Sequence, residues 1–151
     1  MEIIELLDRI SFFSTLAARD KKRIADMPQT FVRYDKDELL IQQGSMGTAF
    51  FIIIRGSVHV IKEEQPERVL ATLKTGAVVG EMAFLTKGIR VTSVVAAENG
   101  VVVMKLTDQV LEKLGSEIRE KIKDQLIMLL VERVDTMNKA LMRTSSTPAG
   151  H

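Results

Sequence analysis

Between Thr30 and Leu106 the chain breaks into short β-branched runs separated by glycine-bearing turns, and helical periodicity flanks that zone on both sides. The runs are Thr30–Tyr34, Leu39–Gln42, Ala49–Ile54, Val58–Lys62, Val69–Leu73, Ala77–Val79, Thr92–Ala97 and Val101–Leu106. Enrichment in Val, Ile and Phe at lengths of three to six residues is the pattern of strands, and eight of them in so short a span predict a closed or nearly closed β architecture. Turn residues agree: Gly44 and Gly47, Gly56-Ser57, Thr75-Gly76 and Asn99-Gly100 separate successive runs. Asn99-Gly100 carries the strongest hairpin signal, because both residue types tolerate positive φ.

The flanks read differently. Ile3, Leu6, Leu7 and Ile10, then Leu16 and Ile24, recur at helical spacing around Ser11-Phe12-Phe13-Ser14. This predicts a short helix, a turn and a second helix, with Ser14 placed to cap the second. After the strands, Thr107-Asp108 suits a helix start, Gly115 interrupts, and Ser116 opens a helix of roughly 25 residues. Its apolar positions Ile118, Ile122, Leu126, Leu130, Val134, Met137 and Leu141 step by three or four, and Ile127 and Val131 widen the arc. The tail 144–151 is polar with breakers and is expected to be disordered, leaving one domain over 1–143. The expected fold is mainly β with flanking α: eight strands in a roll or barrel, with N-terminal helices and a long C-terminal helix.

Composition then removes whole classes of function. With no cysteine among 151 residues, neither a disulfide nor a thiolate metal site is available, and the cytoplasm is the expected compartment. His59 and His151 are the only histidines, too few for a metal centre in a barrel or for a histidine-based triad. Twenty-one basic residues against 20 acidic ones leave a net charge of +1 and no basic stripe, so nucleic acid is not expected as a direct partner. No apolar run approaches the roughly 20 residues of a spanning helix, so no membrane is expected either. No second helix-turn-helix pattern follows the long helix, so no output domain of the transcription-factor kind is expected in this sequence.

One interval within the strand zone departs from a plain hairpin: Gly80-Glu81-Met82-Ala83-Phe84-Leu85-Thr86-Lys87-Gly88-Ile89-Arg90-Val91-Thr92. A helix starting near Met82 presents unpaired backbone N–H groups, which suit a phosphate, and Gly80 lets backbone approach closely. Arg90 adds a planar fork for two phosphate oxygens. A glutamate beside that anion is unfavourable unless it serves a sugar hydroxyl, so Glu81 and Arg90 read as a sugar-phosphate clamp. A 3′,5′-cyclic nucleotide, with its free 2′-OH beside the ring phosphate, fits one acceptor next to one cationic fork. Taken alone, a Glu and an Arg here could equally make a surface ion pair across a hairpin.

The Gly80-Glu81-Met82-Ala83 tetrad with Arg90 ten positions after Gly80 resembles the phosphate-binding cassette of the cyclic-nucleotide-binding domain family, which includes kinase regulatory subunits, gated channels and the bacterial catabolite activator. Gly44-x-x-Gly47, Phe50-Phe51-Ile52-Ile53 and Gly56-Ser57-Val58-x-Val60 resemble that family's glycine-punctuated strands, and the likeness extends over about residues 5–142. It implies an eight-stranded, jelly-roll-like β-roll in which Glu81 takes the ribose hydroxyl, Arg90 the phosphate, and amides around Met82, Ala83 and Val91 complete the cage. It also implies that Val60, Leu70 and Val79 line the apolar side and that the last helix closes over the base. Leu126, Met128, Leu129, Arg133 and Thr136 lie in the window that could reach it.

The sequence departs from the family pattern at Ile89, where Pro is frequent, at Thr48, where Asp is common, and at Val91. The missing hydroxyl at Val91 favours cAMP over cGMP, while Thr92 keeps a hydroxyl one position on. The expectation is a non-enzymatic sensor, with no cofactor beyond the nucleotide ligand. Suggested partners are a second copy of the chain through residues 116–142 and a protein effector. The alternative is a ligand-free roll of the same type that serves as a protein-interaction module.

Overall fold

A computed structural model of the protein describes residues 2–146, with side chains through Arg143. Among the described residues eight strands form: β1 Phe31–Tyr34, β2 Leu39–Ile41, β3 Ala49–Arg55, β4 Ser57–Lys62, β5 Gln65–Lys74, β6 Val78–Val79, β7 Ser93–Ala96 and β8 Val101–Thr107. They make two four-stranded antiparallel sheets, ordered β1-β8-β3-β6 and β2-β7-β4-β5. Chain neighbours therefore almost always lie in different sheets. Only β4 and β5 form a hairpin between consecutive strands, with Val58 opposite Leu73 and Val60 opposite Ala71.

That topology corrects the reading of Asn99-Gly100. The turn carries the chain from β7 in one sheet to β8 in the other, so it is not a hairpin. Gly100 does take positive φ (75°). The turn is held from the β1–β2 corner, where Asn99 Oδ1 accepts from the Lys36 amide at 2.9 Å and Asp35 Oδ1 accepts from the Gly100 amide at 3.1 Å. Turn chemistry specifies local φ and ψ but not which strand pairs with which.

Strand β3 shows how two cores share one element. Its run Ala-Phe-Phe-Ile-Ile-Ile is buried throughout. Side chains alternate across a strand, so Phe51 and Ile53 enter the interior of the roll with Val58, Val94, Ala96 and Val103. Phe50, Ile52 and Ile54 face the other way, into a second cluster made with the helices. Burial on both faces is why the sequence shows a continuous apolar run rather than alternation.

The helices filling that second cluster are α1 (Ile3–Asp8), α2 (Ala18–Ala25), α4 (Asp108–Leu114) and α5 (Ser116–Ser146). Leu7, Phe13, Ile24, Leu111, Leu114, Ile118, Ile122 and Leu126 supply its buried apolar groups. Helix α4 is capped as expected, the Thr107 hydroxyl accepting from the Val110 amide at 3.2 Å. Helix α2 is not capped by Ser14. Its N-cap is Ala17, whose amide donates to Asp20 Oδ2 at 3.0 Å, so the carboxylate reaches back where a hydroxyl was expected to reach forward. Helix α5 runs three residues past Arg143, through Ser146; the rest of the expected tail, 147–151, lies outside the described residues.

Candidate functional site

Helix α3 (Glu81–Thr86) is the short helix expected inside the β6–β7 connection, beginning one residue before Met82. Gly80 caps it in the left-handed region at φ 79° and ψ 13°. A Cβ at Gly80 would stand 2.5 Å from Arg90 Nη1 and 2.7 Å from Ile41 Cδ1, so glycine is required both by the torsion and by the closeness of Arg90. At the other end Lys87 also takes positive φ (53°), and the Gly88 amide donates to the Ala83 carbonyl at 3.0 Å. Lys87 is held by Asp108 at 2.7 Å and lies 4.1 Å over the Phe84 ring.

The segment after α3 is fastened to the Gly44–Gly47 corner. The Gly44 amide donates to the Arg90 carbonyl at 2.8 Å, the Arg90 amide to the Ser45 carbonyl at 2.8 Å, and the Gly47 amide to the Gly88 carbonyl at 2.9 Å. Arg90 is thereby fixed at backbone level, and its side chain is 7% exposed. Its Nη1 donates to the Gly80 carbonyl at 2.7 Å and its Nη2 to the Ala49 carbonyl. Burial pushes the guanidinium below its ordinary value, the direction expected for a cation removed from water. A bound anion would act in the opposite direction.

Glu81 is 3% exposed and forms an ion pair with Arg133 of α5. Arg133 also donates to the Val78 carbonyl at 3.5 Å, and desolvation likewise lowers its value. The long helix thus touches the site through one guanidinium, placed on the carboxylate that sequence reasoning reserved for a sugar. Arg133 is one of the five residues in the expected window, among which the sequence makes no choice.

These groups border a cavity of about 500 Å³ between the cassette and the β2-β7-β4-β5 sheet. It falls within the roughly 300–1,000 Å³ range of small-molecule sites. Gly80, Glu81, Met82, Ala83, Arg90, Val91, Thr92, Val60 and Val79 all line it. Leu70 does not: it stands 45% exposed on β5. Ladder partners share a face, and the residues opposite Val58 and Val60 are Leu73 and Ala71, so Leu70 has the wrong phase. Leu73 and Ile41 take up the apolar wall instead. The first-turn amides of Met82 and Ala83 have no intrahelical acceptor, because a helix start leaves them free. The cavity therefore joins an apolar wall, a buried acceptor, a buried cation and free amides.

A profile described as the cyclic nucleotide-binding domain matches residues 31–117, which span the roll, the cassette and α4. The chain belongs to the cyclic nucleotide-binding domain family. Among its relatives, the cGMP-dependent protein kinase egl-4 of Caenorhabditis briggsae is 33% identical over 127 residues, covering 82% of this chain and 17% of the kinase. The cAMP-dependent protein kinase regulatory subunit of Mycosarcoma maydis is 35% identical over 89 residues, covering 58% of this chain and 17% of the subunit. The domain thus spans about a sixth of the length of these relatives.

Solved structures agree on the fold. The catabolite activator protein of Thermus thermophilus superposes with a TM-score of 0.71 at 25% identity, over 89% of this chain and 62% of the other. The regulatory subunit of a cAMP-independent protein kinase A from Trypanosoma brucei superposes with a TM-score of 0.66 at 28% identity, over 83% and 43%. In such kinases and activators this domain type is regulatory rather than catalytic. No helix among the described residues of this cyclic nucleotide-binding domain is long and apolar enough to cross a membrane.

Proposed function

We propose that the domain is a sensor that takes a 3′,5′-cyclic nucleotide into the cavity and reports its presence through α5. Glu81 accepts from the ribose 2′-OH, Arg90 pairs with the cyclic phosphate, and the amides of Met82 and Ala83 share the anion's charge. The base lies against the apolar wall of Val60, Leu73 and Val79. The single observation that carries the reading is that one buried carboxylate, paired with Arg133, and one buried guanidinium, held by the Gly80 and Ala49 carbonyls, open on the same cavity.

The ion pair between Glu81 and Arg133 supports the signalling half. A sugar hydroxyl arriving at Glu81 changes the partner of a group on α5, so ligand and helix position bias one another, as a switch requires. Val91 brings no hydroxyl to the cavity, which favours cAMP over cGMP. Relatives are named for each nucleotide, and the preference is a matter for titration. The signal passes to a protein effector; the reading involves no catalysis and no cofactor.

Calorimetric titration of nucleotide-stripped protein with cAMP and with cGMP tests the proposal. Saturable binding is expected for at least one, with Arg90→Ala weakening it roughly ten- to hundredfold through loss of a charge-assisted pairing. Unchanged affinity in that variant ends the assignment. One observation favours the alternative of a ligand-free interaction module: Arg90 and Glu81 already have protein partners. Absence of heat and of any thermal shift with both nucleotides would favour that alternative.

A further inference from the structure

Helix α5 is held to the body of the domain by two different forces. Ile118, Ile122 and Leu126 are buried in the helical core and Leu129 packs against it, whereas residues 131–143 are exposed. Apolar anchoring therefore ends about one turn before Arg133. From the exposed half Arg133 returns to the roll, pairing with Glu81 of α3 and donating to the Val78 carbonyl of β6 at 3.5 Å. At this level the helix is held by charge and not by burial.

The pair is unequal in exposure: the Glu81 side chain is 4% exposed and that of Arg133 45%. Both residues line the cavity, so the cation covers the carboxylate on the side from which a ligand approaches. With so little of its surface open, Glu81 cannot accept from a sugar hydroxyl while Arg133 stays seated. A guanidinium is a charged donor and a hydroxyl a neutral one, so the hydroxyl alone does not displace it. The driving force has to come from another part of the ligand, and the phosphate meeting Arg90 supplies it. Lifting Arg133 away uncovers little apolar surface, because the α5 side chains from Val131 onward are already exposed.

We infer that Arg133 is an internal competitor for the ribose acceptor: seated on Glu81 it latches α5 to the roll, and a cyclic nucleotide must evict it to bind fully. The two halves of the site then do different work. The phosphate on Arg90 sets affinity, and the 2′-OH on Glu81 sets release of the helix. This regulation rests on the nucleotide reading of the cavity. A latch lowers apparent affinity by the fraction of molecules in which it is open. For an ion pair with one partner half in water that factor is roughly three- to tenfold.

The test combines titration of nucleotide-stripped protein with amide hydrogen exchange along residues 127–141. The ligands are cAMP or cGMP, whichever the parent binds more tightly, and the 2′-deoxy form of the same nucleotide. Arg133→Ala is expected to bind the ribonucleotide roughly three- to tenfold more tightly than the parent, and its helix to exchange faster before any ligand is added. In the parent, the ribonucleotide is expected to speed exchange over 127–141. The 2′-deoxy form keeps the phosphate and lacks the hydroxyl, so it is expected to bind without that effect. Equal or weaker binding by Arg133→Ala overturns the proposal and leaves the binding site standing. So does release of the helix by the 2′-deoxy form, or failure of that form to bind at all. A parent that takes up neither cAMP nor cGMP ends the nucleotide reading itself, and the latch falls with it.

Discussion

At the scale of single residues, the buried charges are those with partners on other elements. Asp20 is 4% exposed, yet its Oδ2 accepts from the Ala17 amide at 3.0 Å and from Lys121 Nζ at 2.9 Å, binding the start of α2 to the early part of α5. The bond from Lys121 is the main reason the carboxyl lies below its ordinary value, and desolvation opposes it. A carboxyl depressed in the folded state contributes stability that is whole above its unfolded value near 4 and is lost as pH falls through the folded value. Lys121 is raised, chiefly by the same bond, so its share is whole below its unfolded value and is lost only in strong base. Asp20→Asn is accordingly expected to lower stability by about 1–3 kcal/mol at pH 7, with the difference from the parent shrinking toward pH 3; urea melts across that range measure it. This carboxylate was not legible beforehand. Ser14, six residues upstream, looked the better cap, and only the packed α2–α5 contact shows why an aspartate can be buried there.

Among the elements, the short helix α3 and its Gly80 cap were legible almost to the residue, because their demands are local: a glycine for the left-handed turn and a helix-prone run after it. What holds it in place is less local. Gly47, from the β2–β3 corner, lies so close to α3 that a Cβ on it would run into the Ala83 backbone. Gly47→Ala is therefore expected to push α3 outward, costing about 1–3 kcal/mol of stability as overpacking does. It should also weaken nucleotide binding, since the Met82 and Ala83 amides move with the helix. Thermal melts and calorimetry on the same sample give the two effects, and an unshifted affinity would show that α3 does not position the anion site. Leu70 is the corresponding failure of sequence reading at this scale. Along β5 the wall residue is Leu73, opposite Val58, whereas Leu70 falls where the register against β4 slips between Val60 and Ile61.

For the whole molecule, α5 is where the parts meet: it closes the helical core with Ile122 and Leu126, touches the cavity with Arg133, and leaves its far half outside. If α5 reports the ligand, amide hydrogen exchange should change along residues 127–141 on addition of saturating cyclic nucleotide, while β3 and β8, buried on both faces or between two strands, stay protected. Equal exchange with and without ligand would mean that binding is not passed to the helix. The sequence by itself determined the eight strands, the glycine-cornered cassette and the amphipathic helix, because periodicity, torsional tolerance and charge pairing act over a few neighbouring residues. Only the tertiary structure decided that Asn99-Gly100 bridges two sheets, that Leu73 rather than Leu70 faces the cavity, and that Arg133 is the group of α5 that meets Glu81. Each of those depends on which distant segments pack together, and that is settled by burying the two shared cores at once rather than by any local preference.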